Sequence, residues 1–127
     1  MTKKVLILDD DQSVLDVMEE VLNYSHYEVR TTKDSHELMS LLESYSPDIV
    51  LLDYLLNGIN GGEICHQIKS NPKTSHLPVI IVSAYPKLLE SLGDYGCDAV
   101  IPKPFDLTDL LTQVENCLYI KNGKYEI

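Results

Sequence analysis

This sequence predicts an α/β domain of the doubly wound (βα)5 kind, with a five-stranded parallel sheet covered by helices on both faces. Three observations predict it. The runs Val5-Leu6-Ile7-Leu8, Ile49-Val50-Leu51-Leu52 and Val79-Ile80-Ile81-Val82 are continuously aliphatic, which suits strands buried on both faces rather than half-solvated ones. The segments between them carry apolar residues at helical spacing, so strand and helix alternate five times, with right-handed crossovers expected. The runs also share an ending. Each leads into polar residues: Asp9-Asp10-Asp11, Asp53, Ser83 and, for the shorter Ala99-Val100-Ile101, Lys103 by way of Pro102.

Taken in order, residues 4 to 8 form the first strand, and the acidic triplet after it can cap a helix. Val14, Leu15, Met18, Val21 and Leu22 make that helix amphipathic, and it should end near Tyr24. Tyr27 to Thr31 alternates apolar and polar, as expected of a less buried strand at the sheet edge. Asp34 with Glu37 resembles a capping box for a second helix that turns Leu38, Leu41, Leu42 and Tyr45 inward, and Pro47 stops it. The strand ending at Asp53 is the most apolar and should be central. Tyr54 to Gly62 reads as a glycine-rich loop, Glu63 to Ser70 as a short third helix, and Asn71-Pro72 as a loop. After the Val79 strand, Pro86 suits the first turn of a fourth helix with Leu88, Leu89, Leu92 and Tyr95 on one face and Gly96 as its stop. Asp106 caps the last helix, where Leu110, Leu111, Val114, Cys117 and Leu118 form the buried stripe.

A chain of 127 residues suits one domain, expected over residues 1–121, with 122–127 as a short tail after Asn122-Gly123. The net charge of −10, without a basic stripe, argues against a nucleic-acid-binding face. Cys65, Cys97 and Cys117 are odd in number and lack CxxC spacing, which favours reduced thiols in a cytoplasmic setting over disulfides or a zinc knuckle. Cys65 and Cys117 fall on apolar helix faces and read as core residues. His26, His36, His66 and His76 are scattered without ligand spacing. The start of the chain is too short in aliphatics for a signal-peptide core or a membrane span, so a soluble protein is expected.

Ligand sites of open parallel sheets lie outside the carboxyl ends of the strands, where Asp9, Asp10, Asp53, Ser83 and Lys103 are expected to meet. A single strand end capped by a polar residue is ordinary; four at one edge are not. Clustered carboxylates repel one another unless a cation intervenes, and an all-oxygen set with room for water suits Mg²⁺ better than zinc. Such a metal can bridge to a phosphoryl oxygen, while the Lys103 ammonium and Ser83 hydroxyl serve the others. A carboxylate can itself be the nucleophile that forms an acyl phosphate. These residues suggest an aspartyl-phosphate site with Asp53 as acceptor.

The acidic pair after the first strand, Asp53 with Gly61 eight residues on, Ser83-Ala84, and Lys103-Pro104-Phe105 before the last helix together resemble the receiver domain of two-component response regulators, from Lys3 to Leu118. The resemblance implies a flavodoxin-like strand order 2-1-3-4-5. It further implies a signalling domain rather than an enzyme, with Asp53 phosphorylated by a sensor histidine kinase. Mg²⁺ would be held by Asp10, Asp53 and the Leu55 carbonyl with Asp9 assisting, and the phosphoryl group by Ser83 and Lys103. The expected outputs are docking to a downstream protein or transfer to a histidine phosphotransferase, with no membrane or nucleic-acid contact through this domain. A homodimer through the face of the fourth helix, fifth strand and last helix is also compatible. Two positions depart from the family pattern. Asn57 stands where proline is usual, and Val100 stands where an aromatic ring usually reorients on activation. The usual serine-to-aromatic switch therefore cannot operate in its common form here.

Two rival readings exist. Asp9-Asp10-Asp11-Gln12-Ser13 also fits the D-x-D-x-[ST] opening of haloacid-dehalogenase-type phosphatases, with Asp9 as nucleophile and Asp11 as acid/base. That reading lacks a cap domain and leaves Asp53 unexplained. The other is a receiver-shaped interaction module that is never phosphorylated, which leaves the clustered carboxylates without a purpose.

Overall fold

In the computed structural model, which describes residues 2–56, 59–85, 87, 96–121 and 124–125, five parallel strands form one sheet. They are β1 (Lys4–Leu8), β2 (Glu28–Thr32), β3 (Ile49–Asp53), β4 (Val79–Ser83) and β5 (Ala99–Pro102). The order β2-β1-β3-β4-β5 is the doubly wound one expected, with β3 central and β2 and β5 at the edges. Register runs Leu8 beside Leu52 and Asp53 beside Val82, so the strand ends carrying Asp9, Asp53 and Ser83 are aligned.

Alternate side chains of each strand go to opposite faces, and each face has its own helices. Leu6, Leu8, Val50, Leu52 and Ile81 pack with α2 (Ser35–Ser44) and α3 (Gly61–Ser70) through Leu38, Leu41, Leu42, Ile64, Cys65 and Ile68. Val5, Ile7, Ile49, Leu51, Ile80 and Val82 pack with α1 (Gln12–Tyr24) and α4 (Leu107–Tyr119) through Leu15, Met18, Leu22, Leu110, Val114 and Leu118. Every residue of β3 and β4 is buried, whereas β2 and β5 are only partly so. Burying a side chain of this size is worth about 2 kcal/mol, so the central strands form the rigid support of whatever stands at their ends.

Several local readings are refined. Asp34 caps α2 by accepting from the His36 amide at 2.9 Å, one residue short of the contact a capping box would make. α3 begins at Gly61 rather than Glu63, because the Asn60 side chain accepts from the Glu63 amide at 2.8 Å and caps the helix earlier. The segment read as a loop after Asp53 contains an antiparallel ribbon, Leu55–Leu56 against Ile59–Asn60. Ile120–Lys121 pairs likewise with Lys124–Tyr125, the latter two lying within the stretch expected as a tail. The helix expected from Pro86, with Leu88, Leu89, Leu92 and Tyr95, lies outside the described residues, as do Asn57 and Asn122-Gly123.

The opposite end of the sheet repeats a device of its own. Asp48, just before β3, accepts the Lys4 amide at 2.8 Å, and Asp98, just before β5, accepts the Val79 amide at 2.8 Å. Each carboxylate thus fastens the start of the neighbouring strand. No described helix is long and apolar enough to cross a membrane.

Candidate functional site

The site grows out of the ends of β1, β3, β4 and β5. Asp9 follows β1 and is almost wholly buried, its Oδ1 accepting the Asp11 amide at 2.9 Å. Asp10 is exposed, and Asp11 turns away to cap α1. Asp11 Oδ1 accepts from the Ser13 amide at 2.9 Å, the Ser13 hydroxyl at 3.0 Å and the Val14 amide at 3.4 Å. The Ser13 hydroxyl and these amides hold its carboxyl below the usual range, as expected of a cap that must stay ionised.

Asp53 ends β3 with only 8% of its surface exposed. Lys103 Nζ donates to Asp53 Oδ1 at 2.9 Å and to Asp9 Oδ2 at 3.2 Å, so one ammonium bridges two buried carboxylates. Burial raises the Asp53 pKa, Lys103 opposes the rise, and the charges of Asp9 and Asp10 reinforce it. Burial works against the Lys103 ammonium, yet the Asp53 hydrogen bond and the Asp9 charge outweigh it and hold the lysine above its ordinary value. Carboxylate oxygens of Asp9, Asp10 and Asp53 lie within 4.8 Å of one another. Three oxygen donors at that spacing, with Asp10 open to water, fit a small hard cation that keeps part of its hydration shell.

Ser83 ends β4, almost wholly buried, and its Oγ accepts the Tyr85 amide at 2.8 Å. The Ser83 carbonyl accepts the Lys103 amide at 2.8 Å, so the hydroxyl residue and the lysine are carried by directly joined backbone. Leu55 and Tyr85 stand exposed near the rim, at 52% and 53%. Of the residues expected at the site, Asp9, Asp10, Asp53 and Lys103 are brought into one cluster, and Ser83 is tied to it through Lys103.

Gly61 is built into the site by absence of a side chain. Its amide donates to the Tyr54 carbonyl at 2.7 Å, and a Cβ there would collide with the Asp53 carbonyl oxygen while lying 3.0 Å from the Asp53 carbonyl carbon. Gly61→Ala is therefore expected to push the Asp53–Tyr54 backbone aside and weaken divalent-cation binding by about tenfold or more, as misplacements near 1 Å do in preorganised sites. Titration with Mg²⁺ followed by NMR checks this; unchanged affinity would mean that the backbone yields without moving the carboxylate.

Chemically, the cluster offers a buried, partly neutralised carboxylate, a lysine already at hydrogen-bonding distance, and two further acids for a cation. The contributions of Asp48 and Asp98 at the far end were missed in the sequence. An acid immediately before each apolar run is the only signal, and its partner belongs to another strand.

Comparisons with known proteins agree with this geometry. The family model described as "Response regulator receiver domain" matches residues 5–115. The response regulator ArlR of Staphylococcus saprophyticus is 36% identical over 117 residues, covering 91% of this chain and 52% of that protein. The response regulator MprA of Mycolicibacterium vanbaalenii is 32% identical over 120 residues, covering 93% of this chain and 51% of that protein. The chain thus spans about half the length of the curated relatives it matches. A CheY-like receiver domain protein from Methanospirillum hungatei superposes with a TM-score of 0.82 at 28% identity, covering 93% of this chain and 94% of that one. TrrA of Thermotoga maritima, solved in complex with Mg²⁺-BeF, gives a TM-score of 0.84 at 26% identity, covering 92% of this chain and all (100%) of that one.

Proposed function

Because the chain belongs to the response regulator receiver domain family of two-component systems, we propose that it signals through phosphorylation of Asp53. The observation that carries this reading is the Lys103 bridge between Asp53 and Asp9, beside Asp10, at the carboxyl edge of the sheet. In the proposed step an Asp53 carboxylate oxygen attacks the phosphorus of a phosphohistidine. The O–P bond forms as the P–N bond breaks, and the electron pair returns to the imidazole nitrogen. Asp9, Asp10 and Asp53, with the Leu55 carbonyl, would hold Mg²⁺, which would supply neutralisation of the carboxylate and phosphoryl charge. Lys103 moves its hydrogen bond from the carboxylate to a second phosphoryl oxygen, and the Ser83 hydroxyl donates to a third.

The donor in this reading is a sensor histidine kinase in the cytoplasm, and the output is a protein partner or a histidine phosphotransferase. The phosphatase reading is weakened by Asp11, whose carboxylate caps α1 and stands outside the acidic cluster. Incubation with a phosphorylated histidine-kinase domain tests the proposal: label should pass to this chain and depend on Asp53. Label retained by Asp53→Asn would refute it.

A long-lived acyl phosphate is expected from the rim. Leu55 and Tyr85 carry no carboxylate or amide able to orient a hydrolytic water, and reaction depends steeply on that alignment. Phosphorylated Leu55→Asn and Tyr85→Glu should decay faster than wild type at fixed Mg²⁺ and pH. Equal decay of all three would instead make these exposed side chains a docking surface.

A further inference from the structure

The end of the sheet opposite the acceptor holds a second charged cluster. Asp98 Oδ2 accepts both Lys69 Nζ, at 2.7 Å, and the Val79 amide, at 2.8 Å, while the Asp98 amide donates to the Val79 carbonyl at 2.8 Å. Lys69 Nζ also donates to the Leu77 carbonyl at 2.7 Å. One carboxylate oxygen therefore joins the last turn of α3, the approach to β4 and the start of β5. Cys117 of α4 lies in the same field: burial first, then the Asp98 charge, pushes its thiol up to about 11.

The element that gains from this arrangement is β5. It is an edge strand of four residues in which only Ile101 is fully buried. Val100 packs against one core and Ala99 and Ile101 against the other, so a slip of one residue would reverse every side chain. Lys103 stands at the far end of this strand, about 16 Å from Asp98 at ~3.3 Å per residue.

We infer that the Lys69–Asp98 pair is a positioning device: it pins the start of β5 so that Lys103 reaches Asp53 and Asp9. The inference rests on the proposed role of Lys103 in phosphoryl acceptance, but the placement of the lysine can be followed without any phosphoryl group. Lys69→Gln keeps a donor for the Leu77 carbonyl and removes the charge, and Asp98→Ala removes the acceptor for both partners. Thr74→Val serves as a control, because it deletes the 2.7 Å bond to the Ile68 carbonyl near the same turn without touching β5.

Hydrogen exchange in the unphosphorylated protein should show selective loss of protection at the Ile101 and Lys103 amides in Lys69→Gln and Asp98→Ala, with β1 and β3 amides unchanged relative to Thr74→Val. Labelling of Asp53 by a small phosphodonor should slow by about tenfold in the same two variants, since displacing a reacting group by about 1 Å costs up to ~100-fold, and Lys69→Arg should restore the rate. Uniform loss of protection across the sheet, or normal labelling despite loosened β5 amides, would overturn the inference. Failure of wild type to take label would sink the acceptor reading, while the exchange experiment would still decide whether the pair positions Lys103.

Discussion

Lys103→Ala should lose about 3–5 kcal/mol of stability at neutral pH without divalent cation, the usual penalty for removing one partner of a buried ion pair. The loss is expected to be large because Asp9 and Asp53 are both buried and face the same ammonium. Without it, two carboxylates repel in a poorly solvated pocket, and one of them must bind a proton or the pocket must open. Two rescues follow. Acid should narrow the gap between variant and wild type, since a protonated Asp53 no longer needs a counter-charge. Mg²⁺ should narrow it at neutral pH, because a cation among Asp9, Asp10 and Asp53 replaces the missing charge. Urea unfolding with and without Mg²⁺ measures both; a loss under about 1 kcal/mol, the range of exposed pairs, or one indifferent to Mg²⁺, would show that Lys103 is not the counter-ion of a cation site.

Asp53→Asn should do the reverse, making the cation-free protein more stable while abolishing its response to Mg²⁺. The Asp53 pKa is raised in the folded state, chiefly by burial. Its contribution to stability is therefore fully present below the unfolded pKa and is lost as pH rises through the folded one, leaving a net penalty at neutral pH. Asparagine removes that penalty yet can still accept a hydrogen bond from Lys103. In wild type, Mg²⁺ at a hundred times its dissociation constant should add about 2.7 kcal/mol; in Asp53→Asn that gain should largely vanish. Thermal unfolding in chelator and in Mg²⁺ checks both halves. A variant less stable than wild type in chelator would mean that the Asp53–Lys103 bond outweighs the burial of the charge.

Much of this was legible because strand ends in a doubly wound sheet are coded locally. The aliphatic runs around Val5, Ile49 and Val79 mark buried strands, and parallel topology carries Asp9, Asp53, Ser83 and Lys103 to one edge. What distinguishes neighbouring acids was not coded so. Asp9, Asp10 and Asp11 are chemically alike in sequence, and only the turn into α1 buries the first, exposes the second and spends the third on a cap. Asp48 and Asp98 were missed because each ties strands that are distant in the chain. The ribbon from Leu55 to Asn60 escaped notice because two paired residues leave no periodicity to read.

The most direct test of Asp53 as a metal-dependent phosphoryl acceptor is intact-protein mass spectrometry after incubation with a small phosphodonor, followed by peptide mapping. The expected result is a gain of one phosphoryl group located on Asp53, present with Mg²⁺, suppressed by chelator and missing from Asp53→Asn. Phosphoryl addition that persists in chelator or in Asp53→Asn, or that maps to Asp9, would contradict it.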